Sequence, residues 1–222
     1  MAHSEMKLEN SATWNEILSQ PRVWQELLRQ PSLQAEMDAI LEKSRKREKW
    51  IFVGCGTSYY LAEASAVTFM SLTGQPARSL PGSEVVLQPD LVLAEGDNMQ
   101  AVVISRSGKT SEAVRAAGVL RNHLRIPTIG ITCAGNSPLE QACERSMVLR
   151  AADEKSTVMT RSFTGMLITL QSFAAKRAGK PAFIGGDAAG NEIHGTVVNG
   201  RTAGQRELRR GRAAVVVQRR EL

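Results

Sequence analysis

Cysteine, histidine and aromatic side chains are all scarce in this chain, which holds three cysteines, three histidines and 5% aromatic residues among its 222. Cys55, Cys133 and Cys143 lie far apart, without the density of a disulfide scaffold or the paired spacing of a zinc site. Reduced thiols, a cytoplasmic location and no bound metal are expected. Long apolar runs are missing as well. The longest, residues 163–175, is interrupted by Thr169, Gln171 and Ser172 and falls short of a bilayer's thickness. The first residues carry no apolar signal core, so a soluble protein with no membrane partner is expected.

Charge is present but unevenly spread. The formal net charge is +6, and residues 181–222 alone carry seven arginines against four acids, a net +3. No aromatic platform and no helix-turn-helix pattern accompanies that excess, so nucleic acid is not expected as a partner. With 42% hydrophobic residues the chain can bury the core of one ordinary domain plus an extension.

Trp14, Ile17, Leu18, Val23, Trp24, Leu27 and Leu28 recur at helical spacing and predict helix over residues 13–29, divided in two at Pro21. Ser32 is expected to cap a third helix to residue 47, with Leu33, Met37, Ile40 and Leu41 as its apolar stripe. Residues 1–48 thus read as a helical extension lying on a sheet edge, with an oligomer or domain interface as the alternative. Short β-branched runs at 49–53, 77–80, 100–104, 128–132 and 146–149 then alternate with helical patterns at 57–72, 84–87, 110–123, 136–143 and 160–178. The helix at 136–143 is given Asn136 as its cap. This rhythm predicts an α/β fold, a three-layer α/β/α sandwich around a five-stranded parallel, flavodoxin-like sheet over residues 49–180. Beyond it the rhythm stops: no lysine follows Lys180, and 196–198 and 213–217 are the only strand-like pieces. Residues 181–222 read as an atypical, poorly ordered basic tail, either a truncated end or a divergent extension.

Two junctures stand out, WIFVGCGTS at residues 50–58 and AVVISRSGKTSE at 101–112. Each runs from a strand into small and hydroxyl residues and then into a helix. In a parallel sheet such junctures lie at carboxyl strand ends, where backbone N–H groups and a helix N-terminus face one crevice and suit an anion. Gly54, Gly56 and Gly108 allow the backbone to approach closely, and Thr57, Ser58, Ser105, Ser107 and Thr110 offer uncharged donors. The loop after the fifth strand, with Glu154, Ser156 and Thr157, is expected over the same crevice. GCGTS is not the dinucleotide fingerprint, because Thr57, Ser58 and Tyr59 follow Gly56 where a third glycine is soon needed. SRSGKTSE is not a Walker loop, whose first glycine would fall at Val103 inside a strand. No nucleotide and no other cofactor is expected.

Together and in this order, GCGTS and SRSGKT resemble the two ligand loops of the sugar isomerase (SIS) domain, a likeness that covers residues 50–179. It is closest to the amino-sugar branch, that of the isomerase part of glucosamine-6-phosphate synthase and of tagatose-6-phosphate ketose/aldose isomerases; TWNEILSQPRVW also looks like the latter. The resemblance implies that Thr57, Ser58, Ser105, Ser107, Thr110 and the backbone of Arg106 hold a phosphate, and that Gly56 and Thr157 touch the sugar. Arg106 and Lys109 add positive charge nearby. The implied chemistry is aldose–ketose isomerisation through an enediol, or deamination, of a hexose or amino-sugar phosphate. Glu154 is the acid placed over the crevice, although the matching acid of the family is not its catalytic base. Cys55 reads as a small filler, Glu112 as a first-turn helix charge, and His123 and His194 have no supporting pattern. A non-catalytic phosphosugar sensor, or an inactive single-domain part of a two-domain isomerase, is the alternative. A homo-oligomer, a dimer, is expected to close the open crevice.

Overall fold

Trp50 and Phe52 of the first strand enter one apolar layer, while Ile51 and Val53 between them enter a second. Both faces of the sheet are therefore covered, and its strands read as unbroken apolar runs rather than as an alternation. The computed structural model describes residues 11–93 and 98–180. The strands are β1 (Lys49–Gly54), β2 (Ala77–Pro81), β3 (Met99–Ile104), β4 (Thr128–Thr132) and β5 (Arg145–Val148). All neighbours pair parallel, in the order β2-β1-β3-β4-β5. The expected α/β architecture with a five-stranded parallel sheet is what forms. The expectations for residues 181–222, with His194, and for the first ten residues lie outside the described part.

Helices α1 (Ala12–Arg29), α2 (Pro31–Lys43), α3 (Thr57–Thr73) and α8 (Arg161–Arg177) share one core layer with the sheet. Its centre is aromatic. Trp50 lies with its ring 4.6 Å from that of Phe69 and 5.7 Å from that of Phe173, all three fully buried. Truncating one of these rings would cost about 3–5 kcal/mol. The opposite layer is built from α4 (Gly82–Leu87), α6 (Ser111–Gly118) and α7 (Pro138–Ala142), with Val85, Ala113, Ala117 and Leu139 against Val53 and Val103. A four-residue helix α5, Pro89–Val92, follows α4.

The N-terminal helices depart from expectation in three ways. Pro21 does not divide the first helix, which continues through it. The proline is exposed, so the one backbone hydrogen bond it forfeits falls on the solvent side, where water can take the freed carbonyl. The buried face is also turned: Trp14, Ile17 and Leu18 are 40%, 39% and 61% exposed, while Glu16, Val23 and Leu27, spaced i, i+7 and i+11, are buried. Ser32 does not cap α2. Gln30 does, with Pro31 as the first helical residue, and Ser32 accepts a hydrogen bond from the Gln30 side chain at 3.0 Å. α2 lies beside β5, where Arg145 donates to both Glu36 carboxylate oxygens at 2.8 and 2.9 Å.

Two smaller differences concern the second half. The helix after β3 is α-helical only to Gly118 and widens to a π-helical turn over Val119–His123. Ser137, not Asn136, caps α7, accepting from the Glu140 N–H at 3.3 Å. Asn136 takes a left-handed φ of 56° and donates its N–H to the Glu140 carboxylate at 2.6 Å, the reciprocal bond of a capping box shifted by one residue.

Candidate functional site

The chain changes direction across the sheet between β1 and β3: β2 lies on one side of β1, and β4 and β5 follow on the far side of β3. At such a switch point the loops leaving neighbouring strands diverge and open a crevice at the carboxyl ends. Val53 is opposite Val103, so the GCGTS and SRSGKT loops leave the sheet side by side.

The first loop is made tight by two glycines. A Cβ on Gly54 would meet the Ser58 carbonyl at 2.2 Å, so α3 starts hard against the strand end. Gly56 takes a φ of 54°, and the Ser58 and Tyr59 N–H groups turn back to the Cys55 and Gly56 carbonyls at 3.1 and 2.9 Å. Thr57 is exposed and Ser58 is buried, 7% accessible.

The second loop is anchored on β4. Ser105 extends the β3 ladder through its N–H to Ile131 O at 3.0 Å, and the Arg106 carbonyl accepts from Cys133 N–H at 2.9 Å and Thr132 Oγ1 at 3.0 Å. The Ser105 and Thr110 hydroxyls lie 3.0 Å apart, and Ser107 Oγ accepts the Lys109 N–H at 3.2 Å. Ser105, Arg106, Ser107 and Thr110 thus form one compact hydroxyl-rich turn at the N-terminus of α6. Lys109 is exposed beside it.

The loop after β5 reaches the second of these turns through Arg106, whose Nη1 donates to the Ser156 carbonyl at 2.9 Å and lies 3.7 Å from Glu154. Thr157 is exposed, one residue beyond that contact. Glu154 is otherwise engaged: its carboxylate is fully buried and accepts from the Thr160 N–H at 3.0 Å, from Thr160 Oγ1 at 2.9 Å, and from the Ser162 N–H and hydroxyl. It supplies the acceptors for the N–H groups at the start of α8, whose N-cap residue is Thr160. His123 lies elsewhere, 3.3 Å from Asp90 and exposed.

A cleft of about 320 Å³ opens beside the first loop, lined by Gly54, Cys55, Gly56 and Tyr59 on one side and by Gly82, Ser83 and Glu112 on the other. Gly56 is the predicted site residue that lines it. The β2–α4 turn and Glu112 do not stand out in the sequence, because PGSE reads as an ordinary loop and an acid in a first helical turn reads as dipole compensation. Cys55 is half-buried in this wall; burial, aided by the Glu112 charge, pushes its thiol up, which suits a filler and not a nucleophile.

Glu16 also escapes sequence reasoning. It is 4% accessible and belongs to the buried stripe with Val23 and Leu27, which is the signal that could have found it. Burial alone would raise its carboxyl, but hydrogen bonds from Ser156 Oγ and the Lys155 and Ser156 N–H groups, with the Arg161 charge, hold it below the usual value of 4.5.

The family model of the SIS domain matches residues 44–176, and the chain belongs to that family. It is 29% identical over 126 residues to a glutamine–fructose-6-phosphate aminotransferase [isomerizing] of Campylobacter jejuni, covering 57% of this chain and 20% of that protein. Among solved structures it is similar to tagatose-6-phosphate ketose/aldose isomerase from Escherichia coli, with a TM-score of 0.68 and 24% identity over 76% of this chain and 48% of that one. It is also similar to a glucosamine-6-phosphate deaminase from Thermotoga maritima, with a TM-score of 0.59 and 29% identity over 76% of this chain and 49% of that one. The chain therefore spans about a fifth of the aminotransferase and about half of the isomerase and of the deaminase. No helix among the described residues is long and apolar enough to cross a membrane.

Proposed function

We propose that the chain binds the phosphoryl end of a hexose or amino-sugar phosphate at the β1 and β3 loops and lays the sugar into the adjoining cleft. The observation that carries this reading is the adjacency of the two hydroxyl-rich loops at the switch point, set by the Val53–Val103 register. Thr57, Ser58, Ser105, Ser107, Thr110 and the Arg106 peptide are the phosphate ligands we assign, with Gly56 and Thr157 against the sugar. Neutral donors and a helix N-terminus stabilise a dianion there, with Arg106 and Lys109 as nearby positive charge.

Aldose–ketose isomerisation or deamination is the activity proposed for that site. Moving a proton between C1 and C2 needs an acid or base within reach of both. We assign Glu112 to that task, because the residue lines the cleft and its charge acts on the Cys55 thiol in the same wall, whereas Glu154 is committed to α8. A binding module, or one half of a two-domain isomerase, is the second reading, favoured by the 48% of the ketose/aldose isomerase that the chain spans. The protein is proposed to act as a cytoplasmic homodimer that closes the cleft.

Titrating fructose 6-phosphate, tagatose 6-phosphate and glucosamine 6-phosphate against the purified protein tests the proposal. Saturable binding lost in Ser105→Ala and Ser107→Ala is expected. Turnover that disappears in Glu112→Gln supports the enzyme; binding without turnover supports the module; failure of all three sugars to bind refutes the site.

A further inference from the structure

Glu16 and Arg106 hold the same residue from opposite sides. The Glu16 carboxylate accepts the Lys155 N–H at 2.6 Å, the Ser156 N–H at 3.3 Å and the Ser156 hydroxyl. The Ser156 carbonyl in turn accepts from Arg106 Nη1 at 2.9 Å. Arg106 is part of the SRSGKT turn, and its own carbonyl is fastened to Cys133 and Thr132. A hydrogen-bonded path thus runs from the N-terminal helix, through one residue of the β5–α8 loop, into the turn that carries Ser105 and Ser107.

A buried carboxylate on the core face of a helix is costly unless its oxygens are well satisfied. Here the donors come from a loop that has no regular structure to hold it, and they arrive as backbone N–H groups of consecutive residues. Other points of the loop are held by Arg106, Glu154 and Arg161, but the Lys155 and Ser156 N–H groups take the Glu16 carboxylate as acceptor, and a neutral amide at the same place would offer an N–H₂ to a donor. The Arg106 guanidinium, 25% exposed, loses its fixed acceptor when Ser156 is released.

We propose that Glu16 is a positioning residue of the phosphate site, acting through Ser156 on Arg106, so that the N-terminal helix is a working part of the site. This rests on the phosphosugar reading given above. Glu16 does not touch the ligand; it fixes the loop that holds Arg106 and that carries Thr157.

The test is a binding cycle by titration calorimetry, with fructose 6-phosphate and inorganic phosphate as probes, on Glu16→Gln, Arg106→Gln and the double variant of the full chain. Glu16→Gln is expected to weaken both probes by about tenfold, the loss of one charge-assisted hydrogen bond. The double variant is expected to bind no more weakly than Arg106→Gln. Hydrogen exchange of the amides at 154–158 should quicken while β1, β3 and β4 keep their protection. A helix that merely held the domain together would give additive losses, and additivity overturns the proposal, as does unchanged binding in Glu16→Gln. Ser156→Ala keeps α1 and both backbone bonds intact, and repeating the cycle with it decides the matter if Glu16→Gln unfolds. Ser107→Ala separates the two readings: if it abolishes binding while Glu16→Gln changes nothing, only the positioning role falls. If the unaltered protein binds neither probe, the phosphosugar reading falls and the positioning role with it.

Discussion

Gly108 and Ser137 approach so closely that a single methyl group on the glycine would lie 2.2 Å from the serine Oγ and 2.9 Å from Thr132 Oγ1. Gly108 also has a φ of 61°. The turn after β3 is thus wedged against the cap of α7, and its shape depends on a residue without a side chain. Gly108→Ala combines left-handed strain with overpacking and should destabilise the domain by about 2–4 kcal/mol. Urea unfolding would show it, and binding of fructose 6-phosphate should fail even where the variant is still folded.

Removing a hydroxyl from the same turn should separate binding from stability. Ser105→Ala leaves the Thr110 hydroxyl without its partner at 3.0 Å, a loss of about 1 kcal/mol. The effect on phosphate affinity should be larger than on the thermal midpoint, and calorimetry of both quantities on one sample checks it.

Glu154 supplies the opposite pattern. Its buried carboxylate takes both the Thr160 and the Ser162 donors at the start of α8. Glu154→Ala should therefore cost about 2–4 kcal/mol of stability, as expected for stripping a buried acceptor from several donors. Under the isomerase or deaminase reading proposed above, turnover per folded molecule should stay near that of the parent at a temperature where both are folded; a collapse of turnover there would make Glu154 a participant.

The three thiols give a pH dependence of known sign. Burial pushes Cys143 up to about 12 from an ordinary 9.0 and raises Cys133 further, while Cys55 moves in the same direction. The unfolded chain releases these protons near 9.0, so the native state binds more protons above that pH and loses stability as pH rises from 9.0 towards 12. Denaturant midpoints should be level from about pH 7 to 8.5 and drop beyond, and the drop should shrink in Cys143→Ala. At neutral pH iodoacetamide should label part-exposed Cys55 slowly and the other two only on unfolding.

Glu16 has the reverse sign. Its carboxyl is held below 4.5, so its contribution is complete above that pH and is lost as pH falls through the lower, native value. Acid unfolding of Glu16→Gln should be less steep than that of the parent below pH 4.5.

The strands are the most legible part of this fold. Runs such as Trp50-Ile51-Phe52-Val53 are buried on both faces and bounded by glycine or hydroxyls, so composition alone marks them. The helix phases are less legible. Trp14, Ile17 and Leu18 look like a core stripe, yet the helix rolls to place Glu16 inward, because only the distant Lys155–Ser156 loop supplies the donors that make burying an acid tolerable. Pro21 misleads for a related reason: whether a proline breaks a helix depends on which side faces water, a tertiary fact. The loops of the candidate site are legible as motifs; the cleft beside them is not, since Gly82, Ser83 and Glu112 become neighbours of Gly56 only once β2 and β3 pair with β1.

Trp24 of α1 donates its indole N–H to Thr164 of α8 at 3.0 Å, across 140 residues of chain. The first described helix therefore has no seat until the last one exists. During synthesis α1 must wait exposed while the whole sheet is made, and closing so long a loop is slow. Folding of this domain should be limited by the docking of its own beginning onto its end.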